Sequence, residues 1–499
     1  MVGGLMDGLL TVQSAAWIFA LLLGTWVFRY LSSFFQKRGV LEGIPNAPGG
    51  NWLLGHVIPL AKREDPWHLM KEWLYANEPI VRFRILGRHG VIVRDPHAIK
   101  RIFQTHMKSY PKDVEFSYST FLSILGTGLV TADGALWQSQ RLLMMPALRV
   151  EILSDVVRIA KNATDRLTKK LEEFRGTGKA VDMEEEFRLL TLQVIGEAIL
   201  SLPPEECDKV FPELYLPAME ENNVRTMRRW RMYLPTPDWF RQHYRIWQLN
   251  KYIKALLRTR WNKRQNGNKS EKGDILDRIM GAIEDRGQKW SAALEEQLCY
   301  EVKTFLLAGH ETSAAMLSWA LYELTQNPDC MDQVQEEAGD VFGEKEILPE
   351  RKAVDEMQFT LAILKETLRK YTVVPVVCRT CGVKEDELCG YRIPKGTLVV
   401  LSLQGVHDLY ENPTTFKPGR FLPGGEYEKF DEGIRPFMFV PFIQGPRNCL
   451  GQHFSLLETR VVLALLVKRF KFTPTRKDPP RRSLIIPESL RDGLQMYIE

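Results

Sequence analysis

Cysteine is scarce and unpaired by pattern. The 499 residues hold seven, Cys207, Cys299, Cys330, Cys378, Cys381, Cys389 and Cys449, an odd and scattered set. No disulfide framework follows from it, so a reducing environment is expected around the folded domain. Charge of one sign is also lacking. Lys and Arg number 67 against 62 Asp and Glu, and the net +5 is spread along the chain, which excludes a strongly basic nucleic-acid binder. No repeat of roughly 20–50 residues is visible. No Gly-x-Gly-x-x-Gly fingerprint lies between a strand and a helix, so no dinucleotide-binding unit is expected. What remains is ordinary: 44% hydrophobic and 26% charged residues, enough for a large core.

Long apolar runs are missing everywhere but at the start. "LLTVQSAAWIFALLLGTWVF", Leu9 to Phe28, carries no charge, and about 20 such residues can cross a bilayer as a helix. The reading is a tail over 1–8, a transmembrane anchor over 9–31 and a basic, Pro/Gly-rich linker over 32–56. A body over 57–499 follows. Asp7 precedes the run, whereas Arg29, Lys37 and Arg38 follow it, which places that body on the cytoplasmic side. A cleaved signal peptide would want a basic leader and a small-residue cleavage site, and the run has neither. A buried core helix is the other alternative.

Within the body, Pro79 to Pro96 alternates Val81, Phe83 and Ile85, turns at Gly87 to Gly90 and resumes at Val91, a hairpin signal. A short strand is expected over Gly396–Leu403. Helical periodicity dominates elsewhere: Val150–Phe174, Met183–Leu200, Tyr244–Lys263, Ala292–Gln326, Phe359–Lys370 and Phe454–Phe470. The Lys- and Asn-rich stretch Asn262–Asp274 reads as an exposed loop. The fold class is mainly α with a small β-sheet subdomain.

The segment "FIQGPRNCLGQ" sets Cys449 in a cramped turn before a helix that reads as amphipathic. A free cysteine is commonly a small buried apolar residue. Here Gly445 and Gly451 allow close approach of something bulky. Arg447 supplies a cation, and a helix N-terminus favours thiolate. Nucleophile, redox sensor and metal ligand all stay open on these grounds. His453, a base for the first, reads as outward-facing.

Phe442, Gly445, Arg447, Cys449 and Gly451 resemble the heme-binding signature of the cytochromes P450, Phe-x-x-Gly-x-Arg-x-Cys-x-Gly. The resemblance implies heme b with Cys449 thiolate as axial ligand. Phe442 would pack beside the sulfur and Arg447 would meet a propionate. Further segments match in the family's order. Glu366 and Arg369, at i and i+3, would be buried and joined by Arg420, bracing the loop that presents Cys449. "AGHET" interrupts a long apolar helix. In the family that helix crosses the heme, so Ala308 and Gly309 would leave room for dioxygen and substrate. Thr312 would hydrogen-bond the activated oxygen, and Glu311 would help deliver protons. Trp137, Arg141 and Arg379 would contact propionates, and Val373 to Val377 would line the substrate side.

What the resemblance implies is a membrane-anchored monooxygenase of the endoplasmic reticulum, facing the cytoplasm. It would insert one oxygen atom into a sterol, terpenoid or fatty acid. Electrons would come from NADPH through a separate cytochrome P450 reductase, with cytochrome b5 as a second donor. Lys429, Arg435 and Arg460 would offer contacts to the reductase. A desaturase, isomerase or dehydratase of the same type is the alternative enzyme, and a heme-binding sensor or carrier the non-enzymatic one. Val224–Tyr233, a basic and aromatic cluster, reads either as a membrane-interface patch or as a solvated helix. Cys378 and Cys381 begin like a zinc motif, but no fourth ligand is well placed.

Overall fold

Ser291 starts the longest helix by accepting a hydrogen bond from the Leu294 N–H, and the 35 residues Ala292–Gln326 follow. Asn327 breaks it, and Pro328 opens the next helix, Pro328–Phe342. This computed structural model describes residues 21–499, apart from 22, 26, 27, 30, 64, 65, 77, 78, 149, 268–272, 484 and 485. The long helix is buried on nearly every face, as expected of a helix apolar all round. It packs on Met183–Leu200. A Cβ at Gly309 would lie only 2.6 Å from Ile195 Cγ1, so glycine there permits that close approach.

The helix after Cys449, Gln452–Arg469, is also buried all round and carries Glu458, Thr459 and Arg460 into the core. The amphipathic reading is therefore wrong for this segment. Helices stand on both of its sides, since it packs on Val150–Glu172 and on Pro328–Phe342. Other boundaries move for local reasons. The expected Tyr244–Lys263 helix runs from Pro237 to Gln265, because Thr236 caps it by accepting from Trp239 N–H and proline fits the first turn.

Among the described residues nine strands form three small sheets. They are β1 (Ile80–Ile85), β2 (Arg88–Val93), β3 (Val181–Asp182), β4 (Val376–Thr380), β5 (Glu385–Leu388), β6 (Tyr391–Pro394), β7 (Leu398–Ser402), β8 (Phe472–Pro474) and β9 (Gln495–Ile498). The main sheet has the order β1-β2-β7-β4, with only β2 and β7 parallel. Its hairpin is tighter than expected. Leu86 takes φ 53, so the turn is Leu86–Gly87, while Gly90 sits inside β2 opposite Phe83. The Pro/Gly-rich stretch lies along β1, where Ala47 N donates to Arg82 O and Arg82 N donates to Pro45 O.

Residues 31–40 are helical, within the stretch read as a linker. The expected anchor over 9–31 lies for the most part outside the described residues. Among the described residues no helix is long and apolar enough to cross a membrane.

Candidate active site

The turn around Cys449 is shaped by backbone. Gly445 sits at φ 76, and a Cβ there would come within 2.3 Å of Phe103 O, so only glycine fits. Cys449 N donates to Phe442 O at 2.8 Å, closing the loop. A Cβ at Gly451 would lie 3.9 Å from the Cys449 sulfur. All seven cysteines are free, and Cys449 alone among them is exposed. Its sulfur still lies in a recess: desolvation pushes the thiol pKa up, against the Gly451 N–H and Arg141. The helix terminus therefore does not by itself yield a thiolate. A coordinated metal ion would, because coordination removes the proton outright.

Around the turn lies a shell of cations with one carboxylate between them. Arg447 donates to Tyr110 O at 3.0 Å and to Asp133 Oδ1 at 2.5 Å. Its buried Nε has no partner among the described residues. Trp137 is buried between two guanidinium groups, Arg447 at 5.2 Å and Arg141 at 5.9 Å from its ring. Arg141 donates to the Asn448 carbonyl at 2.7 Å and to its side-chain oxygen. The helix Gly134–Met144, which carries Trp137 and Arg141, thus grips the residue before Cys449. Arg379, on β4, is buried and donates to Cys378 O at 2.8 Å and to Tyr118 Oη at 3.4 Å.

Lys112 belongs to this shell and had no signal in the sequence. Its Nζ donates to the carbonyls of Leu129, Val130 and Ala132. Burial, then Arg379 and Arg447, lower its pKa to about 7. Asp133 was also missed; it accepts from Lys112 N at 2.7 Å as well as from Arg447. Uncompensated positive charge and an orphaned guanidinium nitrogen beside an accessible cysteine fit a ligand with carboxylates and a thiolate-seeking metal. Heme b is such a ligand.

The long helix supplies the other wall. Most of it is buried, yet Ala308 is exposed, and Phe305, Gly309 and Thr312 are partly so. These positions fall on one face. Ser313 hydrogen-bonds Ser455 at 2.9 Å, which ties the Thr312 turn to the helix that starts behind Cys449. Thr312 Oγ1 donates to Ala308 O at 2.6 Å. Glu311 is buried, and desolvation raises its carboxyl to about 7, partly offset by Arg188. It therefore holds its proton well above the ordinary carboxylate range and gives it up near neutral pH.

The bracing cluster is complete. Glu366 and Arg369 are fully buried, and Arg420 is 1% exposed. Arg369 makes a two-pronged contact with Glu366 at 2.8 and 2.9 Å. Lys417 N and Arg420 Nε also donate to that carboxylate. Arg369 in turn reaches the carbonyls of His407, Pro413 and Thr415. Among the suggested reductase contacts Lys429 is exposed. Arg460 is not available: it lies in the core and donates to Val354 O. No group of metal-binding side chains occurs among the described residues.

Comparison with known proteins agrees with this geometry. The family model described as Cytochrome P450 matches residues 45–491. Cytochrome P450 4c21 of Blattella germanica is 28% identical, with 93% of this chain and 94% of the relative covered. Cytochrome P450 4F11 of Homo sapiens is 27% identical over 99% of this chain and 97% of its own length. Leukotriene-B4 omega-hydroxylase 3 of Mus musculus is 28% identical over 98% and 95%. The crystal structure of the cytochrome P450DA heme domain superposes with a TM-score of 0.80, covering 91% of this chain and 97% of that one at 22% identity. Motif, fold and family model thus converge: the chain belongs to the cytochrome P450 family, carries heme b and is a heme-thiolate monooxygenase.

Proposed function

We propose that this enzyme oxygenates a long lipophilic substrate of the fatty-acid class, held to the endoplasmic reticulum membrane by its N-terminal run and fed by a separate NADPH–cytochrome P450 reductase. The observation that carries the reading is the pairing of an accessible Cys449 with an accessible Ala308–Thr312 face on an otherwise buried helix. The omega-hydroxylase name of one relative favours fatty acids over sterols and terpenoids. The membrane part rests on the apolar stretch Leu9–Phe28 and on exposed Trp230, Tyr233, Phe240, Tyr244 and Trp247.

Bound heme b supplies an iron that activates dioxygen for insertion into a C–H bond. The chain supplies the rest. Cys449 Sγ would hold the iron, and Arg447, Arg379 and Lys112 would offset the charge of the propionates. Arg141 fixes the loop through Asn448, and Trp137 packs against the Arg141 and Arg447 guanidinium groups. Glu311 would hold a proton at its carboxyl, and Thr312 Oγ1 would relay it toward the dioxygen site. The apolar face at Phe305 and Ala308 excludes bulk water.

The test is spectroscopic. Reduced protein exposed to carbon monoxide should show the red-shifted Soret band of thiolate-bound heme, and Cys449→Ser should lose heme and activity together. Long-chain fatty acids should shift the spin state and yield hydroxylated products. A histidine-type band in folded protein would refute the ligand assignment, and a response to sterols alone would refute the substrate class.

A further inference from the structure

His310 is wholly buried beside Glu311, and the reading above gives it no role. Its Nδ1 lies 2.8 Å from Leu306 O. A carbonyl only accepts, so Nδ1 carries the hydrogen and Nε2 presents a bare lone pair. No described group donates to that Nε2. Burial keeps the ring neutral, with its pKa lowered to about 3. Two neighbours fix the residue, Thr191 through the His310 backbone carbonyl and Tyr215 through the ring. Thr191 Oγ1 donates to His310 O at 3.0 Å, and Tyr215 meets the imidazole edge-on at 5.4 Å.

Glu311 Oε1 stands 3.9 Å from His310 Nε2, and the carboxyl has no hydrogen bond to any described residue. An ionised Glu311 would set two acceptors against each other, with no donor to Nε2 among the described residues. A protonated Glu311 supplies the donor that Nε2 lacks, and rotating the carboxyl closes the gap, as resting catalytic contacts often require. The surrounding charges do not reverse this. Arg188, from Met183–Leu200, pairs with Glu185 at 3.3 Å, and Glu184 on the same helix opposes ionisation of Glu311. Tyr215, from Phe211–Tyr215, is neutral, and its buried hydroxyl is also without a partner.

We propose that His310 Nε2 accepts a hydrogen bond from the protonated Glu311 carboxyl and so holds that acid as the stored proton of the site. His310 is then a positioning residue acting through Glu311. The use made of the proton rests on the monooxygenase reading; the pair itself does not.

The experiment is infrared difference spectroscopy of the heme-loaded enzyme as a function of pH. The carboxylic C=O band to follow is the one that Glu311→Gln abolishes. In the unmutated enzyme it should titrate near neutral pH at the frequency of a hydrogen-bonded acid. His310→Leu removes the acceptor, so the band should move to the frequency of a free acid and its midpoint should fall by roughly one pH unit. An unchanged band and midpoint in a folded, heme-loaded His310→Leu enzyme overturns the proposal. Should that variant fail to fold, isotope-edited nitrogen NMR of the unmutated ferrous carbonyl form decides: His310 must show an unprotonated, hydrogen-bonded Nε2. A correct band with no oxygenated product sinks the functional reading alone. Oxygenation with an unshifted band sinks the pair alone.

Discussion

Two glutamates lie deep in this helical core and have opposite surroundings. Glu366 is met by Arg369, Arg420 and a backbone N–H, with every contact at hydrogen-bond distance. Glu311 has no cation in contact and faces the lone pair of His310 at 3.9 Å. Burial is similar; the partners differ. A carboxylate between two guanidinium groups stays charged and ties segments together. A carboxyl among neutral groups keeps its proton and can surrender it. In the proposed reading one residue type serves as a brace and as an acid, and the neighbours decide which.

Breaking the brace gives the largest effect. Glu366→Gln leaves Arg369 buried with its countercharge gone and Arg420 with Glu426 alone, a change that costs about 3–5 kcal/mol. The segments that Arg369 holds, through His407, Pro413 and Thr415, should loosen, and heme retention should fall with thermal stability. Denaturation monitored at the Soret band checks this. A Glu366→Gln enzyme that keeps both would show the cluster to be ornamental.

Altering the acid gives a smaller effect, read first in turnover. Glu311→Gln keeps the volume and loses the proton, so folded, heme-loaded enzyme should result, with turnover down roughly 10²-fold. Wild-type turnover should fall as pH rises through about 7, where Glu311 loses its proton. The variant should lack that limb. Thr312→Ala should retain heme and consume NADPH while releasing more hydrogen peroxide and less product. Product and peroxide measured together distinguish this from simple loss of activity.

The spacing of Glu366 and Arg369, one helical turn, marked only a pair, and its burial with Arg420 came from the family resemblance; the Cys449 turn was legible because its glycines sit at fixed short offsets. The acid's setting was not. Glu311 stood out as polar in an apolar helix, but Arg188 and Tyr215 come from elements roughly a hundred residues earlier. Asp133 meets Arg447 across 314 residues, and nothing local marks either Asp133 or Lys112. Gly309 shows the same limit: the contact its missing side chain permits is with Ile195, on another helix. Local chemistry is legible; partners brought together by packing are not.

The finest comparison of the two glutamates is thermodynamic. Glu311 is raised from 4.5 to about 7 in the fold, so between those values the folded state binds a proton that the unfolded state has released. Its stabilising contribution is fully present below the unfolded value and is lost as pH rises through about 7. Glu311→Gln cannot lose it. The stability gap between wild type and Glu311→Gln should therefore move in favour of the variant as pH rises from 4.5 to 7, by about 1–3 kcal/mol in total. Other buried groups titrate in this range, Glu301 and Lys112 among them, but they are common to both proteins and cancel in the difference. Urea unfolding of each at a series of pH values measures it. A gap that stays flat would place an ionised Glu311 in the fold and make it, after all, a second brace.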